Sequence, residues 1–563
     1  MKMKFSATKL LYVSLMTVAW LFNANSSHGA AAPLTTEAEA VRFLRQASWG
    51  PNAKSIQDVQ RRGINAWLTQ QLKAKGKAYP KLKAYPESQP ENCTETCARD
   101  NYTYYLLQKH FFLNALTGKD QLRQRVAFAL SQIFVTAEGN VPLPAWMRTY
   151  QQLLYDRAFG NYRQILYDTT LNPAMGRYLD MLNNRCQSRT PSDPNVCRNG
   201  SSAQPNENYA REILQLFSIG TFKLNQDGTY QTDSQGLPIP TYDQATLEEF
   251  ARVFTGWVLA PPLRGIGGDV LNYQNPMVVR LDDQGRERYH DRGAKTLLNG
   301  AVIPAGTSAE QEINMAIDNI ASHANVAPFI AKQLIHHLVT SNPTPAYVQR
   351  VAQVFAANIN SANQLEHVVR AILLDAEART VSTGAGDPDF GKLNEPVLFM
   401  LNFLRAFGAK SDGVLNDGSR GSAAMNQDIF RSPTVFNYYP AGYEVPGEPN
   451  LVGPVFGIFS TQTAVTRANF IYQIVYVGSS FQPNPPNRPT GTTIDLEAWE
   501  KLATNPSGML DELSCLLFDC TMPQAMKDAI ITAVNTVSAT DFLGRARMAI
   551  FLAATSALYQ VQR

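Results

Sequence analysis

Apolar residues recur along this chain at three- and four-residue intervals far more often than they alternate, which predicts helices almost from end to end. The first begins after Thr35. Ala40, Val41, Phe43, Leu44 and Ala47 fall on one side, Thr36 and Glu39 stand in capping-box register, and Trp49-Gly50-Pro51 ends it. The same reading places helices over 53–62, 64–74, 102–117, 122–135, 146–159 and 162–172, with the Pro-, Lys- and Gly-rich segment 75–100 as a loop. After Gly220 the texture changes. Short alternating runs around Asp227-Gly228 and Asp282-Asp283-Gln284-Gly285 predict β-hairpins within an insertion over 221–303. Inside it, Asp243 caps a helix over 244–255 that Gly256 and Trp257 end. Helices return over 309–322, 326–340, 345–359, 365–374, 394–407 and 461–477, an aromatic-rich loop fills 430–459, and a helical tail over 494–563 holds helices at 496–502, 523–537 and 539–559. Neither a fixed repeat nor a long low-complexity linker divides the run. The expected fold is mainly α, a single large helical domain over 32–563 with small β-hairpin insertions.

The first 31 residues follow another pattern. Lysines between Met1 and Lys9 precede the 13-residue apolar run Leu10 to Phe22 and the small residues Gly29-Ala30-Ala31-Ala32, the order of a cleaved secretory signal. That run is too short to cross a bilayer, and no later segment reaches the ~18 apolar residues that a span requires. The expectation is an exported protein, periplasmic or extracellular, with no stable membrane span after signal cleavage. Six cysteines in close pairs, Cys93 with Cys97, Cys186 with Cys197 and Cys515 with Cys520, read as disulfides of an oxidising compartment. Zinc is the competing reading, but the spacings are not two-residue knuckles and no His stands at ligand spacing to any pair. Charge acts by exclusion: 50 basic residues, three of them in the signal, against 47 acidic ones leave a near-neutral chain without a basic block, so nucleic acid has no electrostatic footprint.

Serine-hydrolase elbows, zincin helices, phosphate-cradling loops and dinucleotide fingerprints are all missing from the sequence. The densest polar cluster is Asn206-Glu207-Asn208-Tyr209-Ala210-Arg211-Glu212. On a helix, Glu207 faces Arg211 and Asn208 faces Glu212 at four-residue spacing, opposite an apolar arc of Tyr209, Ala210, Ile213, Leu214, Leu216 and Phe217. Either this is an Asn206-capped surface helix with an ion pair, or it lines a cleft in which Glu207 or Glu212 is a base and Arg211 holds an anionic group. A second cluster, Tyr289 to Lys295, offers His290 and Asp291 as acid/base groups or ligands and Lys295 as an anion partner, against a plain local hydrogen-bonding role. His323, Asn325, Lys332, His336 and His337 read mainly as capping and helix-surface residues, and Ser432 to Pro440 as a packed aromatic loop or a ligand platform. The candidate set is therefore Glu207, Glu212, His290 and Asp291 for catalysis, and Asn206, Asn208, Arg211, Trp257 and Lys295 for substrate binding, with both clusters expected to converge on one cleft. Sealed and paired, the same groups would instead fix a scaffold. No cofactor is implied; a divalent-metal carboxylate site is a third alternative.

The ordered motifs Phe43 to Pro51, Pro205 to Glu212, Ala251 to Trp257, His290-Asp291 with Lys295, Lys332-Gln333-Leu334 and Ser432 to Asn437 together resemble the bacterial domain-of-unknown-function 1800 family over nearly the whole chain. The resemblance implies a large, exported, mostly helical protein with no assigned activity. It also implies a partner, a second exported and sulfatase-like protein of the domain-of-unknown-function 1501 family. Asn394 stands where the resemblance leads one to expect Arg, and Val455 where it leads one to expect Glu, so charge-based roles are not carried over to those two places. The functional expectation is a hydrolase-like or ligand-binding protein acting on an extracytoplasmic polymer or partner; the alternative is a non-enzymatic scaffold or assembly partner.

Overall fold

Helix starts in this chain are set by side chains that accept from the first free backbone N–H groups. At Thr36 the predicted capping box forms: Oγ1 accepts from Glu39 N at 3.3 Å, Glu39 Oε2 accepts from Thr36 N at 2.8 Å, and the helix runs Glu37–Ala47. Asp243 caps Gln244–Val253 in the same way, through Thr246 N at 2.8 Å. The computed structural model describes residues 35–76, 79–185, 204–380, 389–416, 420–477, 482, 484 and 488–563; the expected signal and the Cys186–Cys197 pair lie outside them. The described residues form 22 α-helices and six two-stranded antiparallel ladders, a mainly α fold with small hairpins.

Four helices escape the sequence pattern, the single turn Ala376–Arg379 and three longer ones, Glu95–Tyr102, Pro173–Tyr178 and Pro506–Phe518. Pro173 and Pro506 read as breakers, yet each occupies the first turn, where a missing N–H costs nothing, behind the capping side chains of Asn172 and Asn505. Thr94 starts the first of the three inside what reads as loop, accepting from Cys97 N at 3.3 Å. Cys93–Cys97 and Cys515–Cys520 are disulfide-bonded. In the insertion, the Asp227-Gly228 and Asp282-to-Gly285 turns form, closed by Asn225 N to Thr229 O and by Asp282 N to Arg286 O at 2.8 Å each, but they carry isolated bridges rather than full ladders. Among the described residues no helix is long and apolar enough to cross a membrane.

The helices bury their apolar stripes in one continuous cluster that runs from Ala40 to Tyr559. Pro396–Ala406 is buried along nearly its whole length, as expected of a helix apolar on all sides, and Val326–Leu338 packs against Gln121–Ile133, Pro345–Ala357 and Gln364–Leu374. Arg405 ties this centre together without a carboxylate. Its Nε donates to Gly50 O at 2.8 Å, and its Nη1 donates to Leu116 O at 2.8 Å and Ala115 O at 3.2 Å. Gly50 permits this approach: its φ is +123°, and a Cβ there would stand 2.7 Å from Asn402 Cα. The chain's far end is stitched in by the ladder of Val561–Gln562 with Lys392–Leu393. From that strand, Gln562 Nε2 donates to Leu338 O at 2.9 Å and Val339 O at 3.1 Å.

Replacing Arg405 by Met would strip three buried carbonyls of their donor; urea unfolding should report a loss of about 3 kcal/mol, and an unchanged midpoint would contradict the clamp. Removing the short Cys515–Cys520 loop closure by a double Cys→Ala change should cost no more than ~2 kcal/mol in the same assay, because so small a loop constrains little of the unfolded chain.

Candidate functional site

The first polar cluster sits at the start of helix Asn208–Gln215. Asn206 Oδ1 accepts from Asn208 N at 2.8 Å, and the Asn184 side chain grips the Asn206 backbone from both sides, at 2.9 Å to its N and 3.1 Å to its O. Arg211 Nη2 meets Glu207 Oε2 at 2.8 Å, the pair that the spacing predicts, and Gln244 Nε2 donates to Glu207 Oε1 at 3.0 Å. Asn208 does not pair with Glu212: its Nδ2 donates to Asp180 Oδ2, 28 residues earlier, at 2.8 Å. Glu212 turns inward instead. Its Oε2 is buried without a hydrogen-bond partner, and burial pushes its carboxyl up to about 7 against the opposing pull of Arg211.

The second cluster is sealed. His290, Asp291, Lys295 and Glu312 are all buried. Asp291 takes a bidentate grip from Arg252, Nε to Oδ2 at 2.9 Å and Nη2 to Oδ1 at 3.0 Å. Lys295 Nζ lies 2.8 and 2.7 Å from the two Glu312 oxygens and donates to Asp291 O at 2.5 Å and Gly293 O at 3.0 Å; burial lowers its pKa, while Glu312 raises it. His290 Nδ1 is 2.9 Å from Thr255 O, and its Nε2 lies 3.2 Å from Glu312 Oε2. Two cations balance two carboxylates with the imidazole between them, a geometry that favours the scaffold alternative for these residues.

Convergence on one cleft is therefore corrected. Gln244 reaches Glu207 and Arg252 reaches Asp291, so the clusters hang on opposite ends of helix Gln244–Val253, roughly 12 Å apart along its axis at 1.5 Å per residue. Trp257 lies between them. It is buried, its Nε1 has no partner, and it lines an open cavity of about 660 Å³ with Asn184, Arg185, Arg280 and Tyr289. Among the described residues no group of three or more His, Cys, Asp or Glu side chains could hold a metal ion, so the divalent-metal alternative has no ligand set there.

A different pocket gathers the polar groups that the two clusters lack. About 680 Å³, solvent at its mouth included, opens between the end of helix Val326–Leu338, the strand at Lys392 and the loop carrying Val435, Phe436, Asn437 and Tyr439, with Gln132 and Val455 completing the wall. Lys392 Nζ donates to His337 O at 2.6 Å and His336 O at 3.3 Å, and burial pulls its pKa down to about 8. Both ring nitrogens of His336 are buried without a partner, and burial with Lys332 and Lys392 nearby lowers its pKa to about 3, so the ring is neutral. Gln132 Oε1 accepts from Asn437 Nδ2 at 2.9 Å and lies 3.2 Å from Tyr439 Oη, leaving Gln132 Nε2 unpartnered. Behind them Glu395 Oε2 accepts from Gln427 Nε2 at 2.6 Å and from Tyr439 Oη at 3.1 Å. Asn437 and Phe430 both hold φ of +68°, tolerable for Asn but strained for Phe, which marks the loop as held by its surroundings.

Sequence reasoning placed His336, His337 and the Ser432 loop among structural features and passed over Gln132, Lys392, Glu395 and Arg125. A signal existed. Arg125 and Gln132, seven residues apart, fall on the same helical stripe as Leu122, Val126, Ala129 and Ile133, where polar side chains have no solvent to face. Lys392 and Glu395 likewise stand against the apolar run Val397 to Phe403.

Such an arrangement defines a class: a large, mainly helical protein with a sealed, charge-balanced network and, apart from it, an open polar pocket. The chain belongs to the family described as "Protein of unknown function (DUF1800)", whose model matches residues 42–561. No curated protein and no solved structure matches it.

Because Glu212 holds its proton in the fold up to about pH 7, while an unfolded glutamate releases it near 4.5, the native state binds the extra proton between those values. Stability should therefore fall as pH rises through that window, and Glu212→Gln should flatten the dependence by ~2 kcal/mol when urea midpoints are compared at pH 5 and pH 8. Asp291→Asn should cost about 3 kcal/mol at neutral pH by leaving the Arg252 and Lys295 cations with one carboxylate fewer; a loss within experimental error would remove the structural role given to the network.

Proposed function

We propose that this protein is an exported ligand-binding protein whose recognition site is the pocket formed by Gln132, His336, His337, Lys392, Phe436, Asn437 and Tyr439. The observation that carries the reading is the coincidence of open volume with polar groups that lack partners: Gln132 Nε2 and both His336 ring nitrogens stand unsatisfied on residues that line it. Two of the lining segments, Gln333 and Val435 to Asn437, also belong to the motifs that carry the chain's family likeness. Among the described residues no hydroxyl on this lining is hydrogen-bonded to a histidine, which supports binding over a serine-type hydrolysis. Export is supported by the amino-terminal pattern and by the two bonded cysteine pairs.

A second reading has its own observation. The sealed Arg252, His290, Asp291, Lys295 and Glu312 network supports a rigid scaffold, for which the sulfatase-like exported protein is the proposed partner. Co-purification of the two from the exported fraction tests it.

The pocket reading predicts that a thermal-shift screen of sugars, oligosaccharides and small acids will give hits on the purified protein. Phe436 is 48 % exposed and lines the mouth, so Phe436→Ala should leave unfolding within ~0.5 kcal/mol of wild type while removing at least half of each shift. Hits that ignore the substitution would place binding elsewhere.

A further inference from the structure

The charges buried around the pocket do not balance. Arg125, Lys392 and Arg467 are all buried, and the carboxylate whose field all three feel is that of Glu395. Arg125 Nη2 and Lys392 Nζ converge on one oxygen, His337 O, at 3.3 and 2.6 Å, so two like charges lie within ~6 Å of each other. Lys332, half-buried one turn before His336, adds to the positive field that this imidazole feels. Against these stand Glu395 and the carbonyl end of helix Val326–Leu338, worth roughly half a negative charge. More than one unit of positive charge remains without a counter-charge.

The hydrogen-bond inventory points the same way. Arg125 keeps Nε and Nη1 unpartnered, Arg467 keeps Nε, and Gln132 keeps Nε2, four donor atoms against the two unpartnered acceptors nearby, Glu395 Oε1 and Gln562 Oε1. Lys392, which lines the pocket, spends two of its three N–H groups on carbonyls and retains one. Neutral His336 brings one further donor and one acceptor. The contrast with the other buried network is sharp, since there Arg252 and Lys295 meet Asp291 and Glu312 one for one.

Building on the pocket reading above, we propose that the group recognised is an oxyanion, a phosphate, sulfate or carboxylate, seated against Lys392 and Gln132 with the ring of Phe436 at the mouth beside whatever carries it. The oxyanion supplies both the missing negative charge and the missing acceptors. A neutral polar ligand would supply only the acceptors and leave the cations uncompensated.

The test uses inorganic phosphate, sulfate and acetate, then glucose 6-phosphate and glucose, each titrated by calorimetry at fixed ionic strength with chloride as reference. Wild type should bind the anions, and a preference for glucose 6-phosphate over phosphate that Phe436→Ala abolishes would identify an oxyanion borne on a larger molecule rather than the free ion. Lys392→Met should weaken anion binding at least tenfold. Val455→Glu, which adds a carboxylate to the same lining, should do likewise and decides the matter if circular dichroism shows that Lys392→Met fails to fold. Anion binding undiminished in Val455→Glu would overturn the proposal. Glucose binding that depends on Phe436 without any anion effect would also overturn it while leaving the pocket reading intact, and no binding of any probe would remove both.

Discussion

Three buried cations of this fold, Arg125, Lys392 and Arg405, rest on the carbonyl ends of helices. Arg405 covers Ala115 O and Leu116 O in the last turn of Tyr105–Thr117, while Lys392 and Arg125 meet at His337 O in the last turn of Val326–Leu338, and Gln562 caps the carbonyls that follow. The last four carbonyls of a helix have no partner within it and together carry roughly half a negative charge, so a helix that ends inside the core needs donors, and a cation that enters the core needs acceptors. Each solves the other's problem. Because Arg405, Arg125 and Gln562 come from more than two hundred positions away and Lys392 from 55, these contacts also fix which distant segments lie together.

That device has two outcomes here. Around Asp291 the cations have carboxylates as well as carbonyls, and the network is closed and neutral. Around Lys392 the carbonyls do most of the compensation and one carboxylate does the rest, which leaves charge and donors turned toward an open space. The groups that hold the Val326–Leu338 end in place are thus those that give the pocket its electrostatic character.

Local features were legible in the sequence because they depend on residues within one or two turns. The Thr36 capping box, the Glu207–Arg211 pair, the Asp243 cap and the turns at Gly228 and Gly285 all follow from short-range rules, and the mainly α fold follows from apolar spacing. Prolines at the first helical position hid two helices, since the residue that breaks a helix interior also begins one. The relation between the two polar clusters was not legible, because Asn208 chose Asp180 and Asp291 chose Arg252, both partners outside its own motif. Least legible was the pocket. Its wall draws on positions 132, 333–341, 392, 435–441 and 454–455, and its charge on Arg125 and Arg467, which no spacing rule connects.

The ladder of Val561–Gln562 with Lys392–Leu393 has a consequence in time. A ribosome delivers every lining residue of the pocket before it delivers the strand that braces Lys392 and the Gln562 amide that covers Leu338 O and Val339 O. Until more than a hundred further residues have been made, the lysine strand lacks its neighbour and the helix end behind it lacks its donor. The pocket can acquire its final shape only after synthesis has passed residue 562.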